Sequence, residues 1–298
     1  MLHPDHRAEF DSLAPGRTTE AGPSRRTALQ AALGVGYAAA AGAVAAQTAI
    51  KTTAEGLTTG EITVEVNGFK VPAYRAAPAG KSNLPVVLVV QEIFGVHEHI
   101  ADVVRRFAKA GYLAIAPELY ARQGDPSQYN EMAKLMSEVV SKVPDAQVLA
   151  DLDGVVKWAG ANGGNTSKVA ITGFCWGGRI TWLYAAQGPV KAAVAWYGRL
   201  VGASTPLTPN NPIDLASKMN APVLGLYGSA DQGIPQDTID KMKAALASGN
   251  AAAKASQFVV YEGAPHGFHA DYRASYRKDA AENGFQRTLD WFKANGVA

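Results

Sequence analysis

The stretch Val169-Ala170-Ile171-Thr172-Gly173-Phe174-Cys175-Trp176-Gly177-Gly178-Arg179 decides how this chain folds. Its first part, Lys168 to Gly173, reads as a strand. Its continuation, Cys175 to Gln187, has a helical pattern. Between them stands Gly-Phe-Cys-Trp-Gly, the pattern of a tight strand-to-helix turn with a nucleophile at its apex. The flanking glycines answer a steric need, because the apex backbone is strained and side chains beside it would strike the adjoining strand and helix. The turn carries the Cys175 thiol to the carboxyl end of the sheet and to a helix N-terminus, whose partial positive charge favours thiolate. The alternative is a buried structural cysteine, a common fate of free Cys. The strand before, the helix after and the glycines on both sides favour the nucleophile.

Outward from this turn, strand and helix patterns alternate. Strands are expected at Ile62 to Val66 and Val71 to Ala76, joined as a hairpin at Asn67-Gly68. Further strands are expected at Pro85 to Gln91, Tyr112 to Pro117, Ala192 to Tyr197, Pro222 to Gly228 and Gln257 to Tyr261. Helices are expected at Ile100 to Lys109, Ser127 to Val143, Asp145 to Ala161, Thr238 to Ala247 and Tyr276 to Ala294. Such alternation predicts an α/β domain with a mainly parallel sheet covered by helices on both faces, spanning residues 47–298. The 298 residues are 47% hydrophobic and 18% charged, which excludes collagen-like, coiled-coil and wholly disordered chains. Lys+Arg number 28 against 26 Asp+Glu, a net charge of +2 that gives no electrostatic case for nucleic acid or an anionic membrane surface. The single cysteine excludes an internal disulfide and a Cys-based zinc site.

Residues 1–46 have the layout of an export signal: a polar start, Arg25-Arg26, an Ala/Gly-rich apolar run, and the small-x-small exit Ala43-Val44-Ala45. The paired arginines and weakly hydrophobic run match a twin-arginine signal, except that Ala28 stands where a bulky apolar residue is usual. The expectation is a periplasmic or secreted protein, without a stable membrane span. An N-terminal helix of the folded domain, or an uncleaved anchor, is the alternative.

A cysteine nucleophile needs a base, and the base an orienter. After Cys175 the chain has two histidines. His266 follows the last expected strand and suits the base, whereas His269 is expected as a loop or helix-start residue. Asp231, after the strand that ends near Gly228, suits the orienter, with a turn or capping role as its alternative. His97-Glu98-His99 is a weak metal signal without a further ligand motif, and no phosphate or cofactor motif is present, so neither metal nor cofactor is expected.

Four blocks together resemble the dienelactone hydrolase family (carboxymethylenebutenolidases): Gly-Phe-Cys175-Trp-Gly-Gly-Arg, Gln91-Glu92-Ile93-Phe94-Gly95, Pro117-Glu-Leu-Tyr120-Ala-Arg122 and Gly263-Ala-Pro-His266-Gly-Phe268. The resemblance runs from about Ile62 to the C-terminus. It implies an α/β-hydrolase fold and a Cys175-His266-Asp231 triad. It also implies that Glu92 contacts the resting thiol and helps generate the thiolate. Glu92 follows Pro85 to Gln91, an almost continuously apolar run expected as a strand buried on both faces, where a carboxylate is costly without a partner; this agrees with such a role and equally with an ion pair to a nearby Arg. The oxyanion hole maps to the backbone N–H groups of Ile93 and Trp176, consistent with the donors this kind of turn supplies. Arg122 maps to an arginine that binds a substrate carboxylate, with a solvated loop charge as the alternative. A second family arginine, four residues after the histidine, is replaced by Ala270, and the nearest arginine is Arg273. Tyr120, Trp176, Trp196 and Tyr197 would wall an apolar pocket around a small-molecule substrate, or belong to plain core. The resemblance implies a monomer.

The expected activity is hydrolysis of a lactone or activated ester through a thioester acyl-enzyme. A broader carboxylesterase or thioesterase would use the same triad. A non-catalytic α/β binding or redox-sensing protein would use Cys175 only for oxidation and reduction.

Overall fold

The computed structural model describes residues 49–298. The export signal expected over residues 1–46 lies outside the described residues. Eight strands form one sheet: β1 (Leu57–Val66), β2 (Phe69–Pro78), β3 (Leu84–Val90), β4 (Leu113–Pro117), β5 (Gly164–Phe174), β6 (Ala192–Trp196), β7 (Val223–Gly228) and β8 (Gln257–Tyr261). Their spatial order is β1-β2-β4-β3-β5-β6-β7-β8. β1 and β2 join antiparallel, β2 meets β4 antiparallel, and every later pairing is parallel. The helices are α1 (Glu98–Lys109), α2 (Met132–Glu138), α3 (Asp145–Ala161), α4 (Trp176–Gln187), α5 (Pro212–Leu215), α6 (Gln236–Ala247), α7 (Ala251–Ala255) and α8 (Lys278–Ala294). This is the expected α/β-hydrolase architecture. No helix among the described residues is long and apolar enough to cross a membrane.

Local chemistry explains the elements. The hairpin turns at Asn67 (φ 50°) and Gly68 (φ 77°), two positive-φ residues that match the twist of the flanking strands. Val86 to Val90 of β3 are completely buried, as a central parallel strand flanked by β4 and β5 requires. On one side of the sheet Phe107 of α1 packs against Phe285 and Phe292 of α8. The chain runs from β3 to β4 in one direction and returns past β3 to β5, so the strand order reverses at β3/β5. Ligand crevices in open parallel sheets form beyond the carboxyl ends of strands at such a reversal.

The helix expected over Ser127 to Val143 is instead three short pieces: a 3₁₀ turn at Pro126–Gln128, α2, and a 3₁₀ turn at Val140–Lys142. Asp125 caps the first turn by accepting from the Ser127 N–H. The Ser137 and Ser141 hydroxyls donate to carbonyls of Lys134 and Ser137, diverting the ladder, and Val139 breaks it with φ −117° and ψ −70°.

The turn between β5 and α4 depends on missing side chains. A Cβ on Gly173 would collide with the Gly177 carbonyl, and one on Gly177 with the carbonyls of Val90 and Gln91. A Cβ on Gly178 would come within 2.5 Å of the Trp196 oxygen and 2.8 Å of Gly198 Cα. Backbone atoms cannot rotate away, so Gly177→Ala is expected to lower the thermal midpoint by about 10 °C or to abolish soluble expression. A Gly177→Ala protein with an unchanged melting curve would contradict this packing.

Candidate active site

Val90 of β3 pairs with Gly173 of β5, so Glu92 and Cys175 leave adjacent strands two residues later, at the same end of the sheet. Cys175 has φ 55° and ψ −115°, a backbone that non-glycine residues rarely adopt, and it immediately precedes α4. Neighbours hold it there. Its N–H donates to the Trp196 carbonyl at 3.0 Å, and its carbonyl accepts from the Arg179 N–H at 3.2 Å. The Arg179 guanidinium forks onto buried Asp145 with two 2.7 Å bonds and also donates to the Asn210 carbonyl. The strain is therefore imposed by several contacts at once, which is how such conformations persist. Trp176 is the first residue of α4, where a backbone N–H has no intrahelical acceptor. Ile93 follows Glu92 in a tight turn closed by the Gly95 N–H on the Glu92 carbonyl.

The histidine side of the site comes from the ends of β7 and β8. His266 Nδ1 lies 2.7 Å from Asp231 Oδ2. The other Asp231 oxygen accepts from the N–H groups of Gly233 and Ile234, at 2.9 and 3.2 Å, and the residue is buried. A carboxylate fixed on one oxygen by backbone and turned with the other to an imidazole orients that ring and selects its tautomer. Tyr197 ties the two sides together. Its backbone is at φ 37°, and its ring meets the His266 ring edge-on at 5.0 Å. Burial pushes its hydroxyl well above the usual tyrosine range. Glu92, Cys175 and Tyr272 add to that rise, and Arg273 opposes it. The buried phenol thus lies within electrostatic reach of Cys175 and Glu92 and in ring contact with His266. Its sequence position carried no signal beyond aromatic character.

Glu92 is buried and paired. Arg273 Nη2 donates to its Oε2 at 2.8 Å, and the Tyr272 hydroxyl donates to the same oxygen at 3.2 Å. Arg273 Nε donates to the Tyr272 hydroxyl at 2.9 Å, and its guanidinium lies over the Phe94 and Tyr272 rings. Ala270, at the position of the absent second arginine, is buried, and Arg273 reaches the same neighbourhood from three residues further along. Tyr272 escaped the sequence reading. Its partner lies 180 residues away, and no local pattern announces that contact.

Other expected residues have different surroundings. Arg122 is held in a bidentate pair with buried Asp151, at 2.5 and 2.8 Å, and lies over the Phe69 ring at 4.4 Å. It meets a protein carboxylate where the resemblance implied a substrate's. Tyr120 is buried with its ring edge-on to Trp176 at 4.8 Å. The residues of His97-Glu98-His99 diverge: His97 faces the Tyr272 hydroxyl, Glu98 pairs with Arg105, and His99 Nδ1 lies 3.2 Å from Asp271. No cluster of three metal-ligating side chains occurs among the described residues. His269 is on the loop, as expected, but fully buried against Phe174 and Trp196. Burial, with His99 and Arg106, holds it neutral.

Asp271 anchors the loop that carries Tyr272 and Arg273. Burial pushes its carboxyl up, but His99 and Arg106 outweigh that and hold it at about 2. A depressed native value stabilises the fold above the unfolded value, and that contribution disappears as pH falls from about 4 through about 2. Asp271→Asn should therefore cost about 2 kcal/mol at neutral pH and flatten the stability–pH curve between those limits, measured by urea unfolding. An unchanged acid limb in the variant would contradict the pairing.

Comparisons with known proteins identify the family. The family model described as "Dienelactone hydrolase family" matches residues 71–296. A Methylorubrum extorquens protein named as a carboxymethylenebutenolidase is 57% identical over 293 residues, covering 98% of both chains. An Escherichia coli K12 protein of the same name is 52% identical over 263 residues, covering 88% of this chain and 96% of the other. A Klebsiella pneumoniae crystal structure described as a dienelactone hydrolase superposes with a TM-score of 0.77 at 56% identity, covering 80% of this chain and 98% of that one. With a parallel sheet, a glycine-bound cysteine turn and an aspartate-held histidine at its carboxyl end, the chain belongs to the dienelactone hydrolase family.

Proposed function

We propose that this hydrolase cleaves a lactone or activated ester through a thioester acyl-enzyme formed on Cys175. The observation that carries this reading is the Asp231–His266 contact of 2.7 Å at the sheet end where the strained Cys175 turn opens. The Cys175 thiolate attacks the carbonyl carbon, and the N–H groups of Ile93 and Trp176 receive the charge that develops on oxygen. The carbon–oxygen bond to the leaving group then breaks. His266, neutral and oriented by Asp231, takes a proton from water and hands it to the departing alkoxide or enolate. Water, deprotonated by His266, next attacks the thioester, releasing the carboxylic acid and the thiolate.

Glu92 has a second role here. Held by Arg273 and Tyr272, it is the carboxylate that takes the thiol proton as the thiolate forms. A site with only Asp231 and His266 would have to generate the thiolate through the imidazole alone. The aromatic wall of Tyr120 and Trp176 suits a small apolar acyl or lactone group. The arginine pair and apolar run of residues 1–46 support export to the periplasm by a twin-arginine route. The lone thiol would there have no second cysteine in its chain with which to form a disulfide.

Cys175→Ala and His266→Ala should each lower kcat/KM on aryl acetates by about 10³-fold or more while leaving the melting curve in place. Asp231→Asn should cost about 10²- to 10⁴-fold through the wrong imidazole tautomer. Full ester hydrolysis by Cys175→Ala would remove the nucleophile assignment. A panel of lactones, aryl esters and acyl thioesters separates a lactonase from a broader esterase or thioesterase. Absence of hydrolysis across that panel would favour the binding or redox-sensing alternative.

A further inference from the structure

We infer that Tyr272 and His97 form a proton relay that carries the Cys175 thiol proton from Glu92 to solvent, an inference that rests on the hydrolase reading above. Ester hydrolysis at neutral pH sets a proton free at each turnover, because the product acid ionises. Glu92, which receives the thiol proton, has a side chain only 1% exposed, and so has its partner Arg273. A lasting protonated Glu92 would leave that guanidinium a buried cation without its counter-charge, which is costly. The proton therefore needs a way out that returns Glu92 to carboxylate.

The Tyr272 hydroxyl stands between two acceptors, Glu92 Oε2 at 3.2 Å and His97 Nε2 at 3.4 Å. A hydroxyl accepts and donates at once, so it can pass a proton along without ionising. Arg273 Nε donates to the same oxygen at 2.9 Å, which favours loss of the phenol proton as another arrives. His97 Nε2 lies 3.9 Å from Glu92 Oε2, beyond hydrogen-bond reach, so the phenol is the bridge. The His97 side chain is 17% exposed, which opens the route to water. His97 stands at the N-cap of α1, where its side chain makes no capping bond and the helix end disfavours a lasting imidazolium. Its ring meets Tyr272 edge-on at 5.1 Å and stacks on His99 at 6.1 Å, while Glu98, next in the chain, is paired with Arg105. An imidazole that takes a proton and does not keep it is a shuttle.

In the transfer the Glu92 O–H bond breaks and its proton joins the Tyr272 oxygen. The Tyr272 O–H bond breaks in turn, and that proton joins Nε2 of neutral His97. Glu92 is again a carboxylate beside Arg273, and Tyr272 is again a neutral phenol. The His97 imidazolium gives its Nδ1 proton to water, and a turn of the ring brings the bare nitrogen back to Tyr272. The thiolate regained at the end of turnover takes its proton from the product acid. One proton thus leaves for each ester cleaved, and nothing is oxidised or reduced.

The test measures kcat/KM on 4-nitrophenyl acetate with and without 2-methylimidazole, the Cys175→Ala protein serving as the blank. His97→Ala and Tyr272→Phe should each lower kcat/KM by about tenfold or more with the melting curve in place. Added 2-methylimidazole should recover most of the loss in His97→Ala, with a pH dependence that follows the neutral form of the base. It should leave the wild-type enzyme and Tyr272→Phe unchanged, since a soluble base can replace the part-exposed ring but not the buried hydroxyl. Wild-type rates in either variant, or a loss in His97→Ala that the base does not restore, would overturn the relay while leaving the hydrolase reading intact. Turnover of no ester or lactone by the wild-type protein would overturn both.

Discussion

Close backbone packing around Cys175 is the constraint on which the rest of the structure depends. Three glycines let β5, β3, β6 and α4 approach to distances that no side chain permits. In the space so created, a non-glycine residue is held at φ 55°. A strained residue persists only where its surroundings over-determine it. Here the Trp196 carbonyl, the Arg179 N–H and the Arg179–Asp145 fork do so. The strain has a use. It sets Cys175 at the carboxyl end of β5, by the strand-order reversal and directly before α4.

Charge pairing is the second theme. A buried carboxylate without compensation is too costly to keep ionised. Each buried acid near the site has a distinct answer. Asp231 uses two backbone N–H groups and His266. Glu92 uses Arg273 and Tyr272. Asp271 uses His99 and Arg106. The segment 266–273 carries His266 against Asp231, Tyr272 and Arg273 against Glu92, and Asp271 against His99 and Arg106, so the acids and α1 are linked through it. Disturbing any of its ion pairs should be felt at the imidazole.

Much of this was legible in the sequence because it is local. The strand–turn–helix around Cys175 is written in eleven consecutive residues, and the alternation of β and α patterns set the fold class. Asp231 and His266, which meet at 2.7 Å, were singled out because each follows a recognisable strand, and chain order in such sheets restricts where a candidate base and its orienter can stand. Other features were not legible. The Arg273–Glu92 pair spans 181 residues, and the Tyr272 contact spans 180. Arg122 looked available until Asp151, 29 residues on, closed its fork. Tyr197 read equally as pocket wall or core, and nothing local announced its position beside His266. The helix expected over Ser127 to Val143 failed because serine back-bonding and a valine break outweighed the apolar period.

The central claim is that Cys175 is acylated during turnover. The most direct measurement is rapid-quench mass spectrometry of the enzyme mixed with excess 4-nitrophenyl acetate, followed by peptide mapping. The account predicts an acetyl adduct on the Cys175 peptide that forms within the burst, accumulates further in His266→Ala if deacylation is slowed more than acylation, and is missing in Cys175→Ala. Steady ester turnover with no adduct on Cys175 at any quench time, or an adduct on another residue that persists in Cys175→Ala, would contradict it.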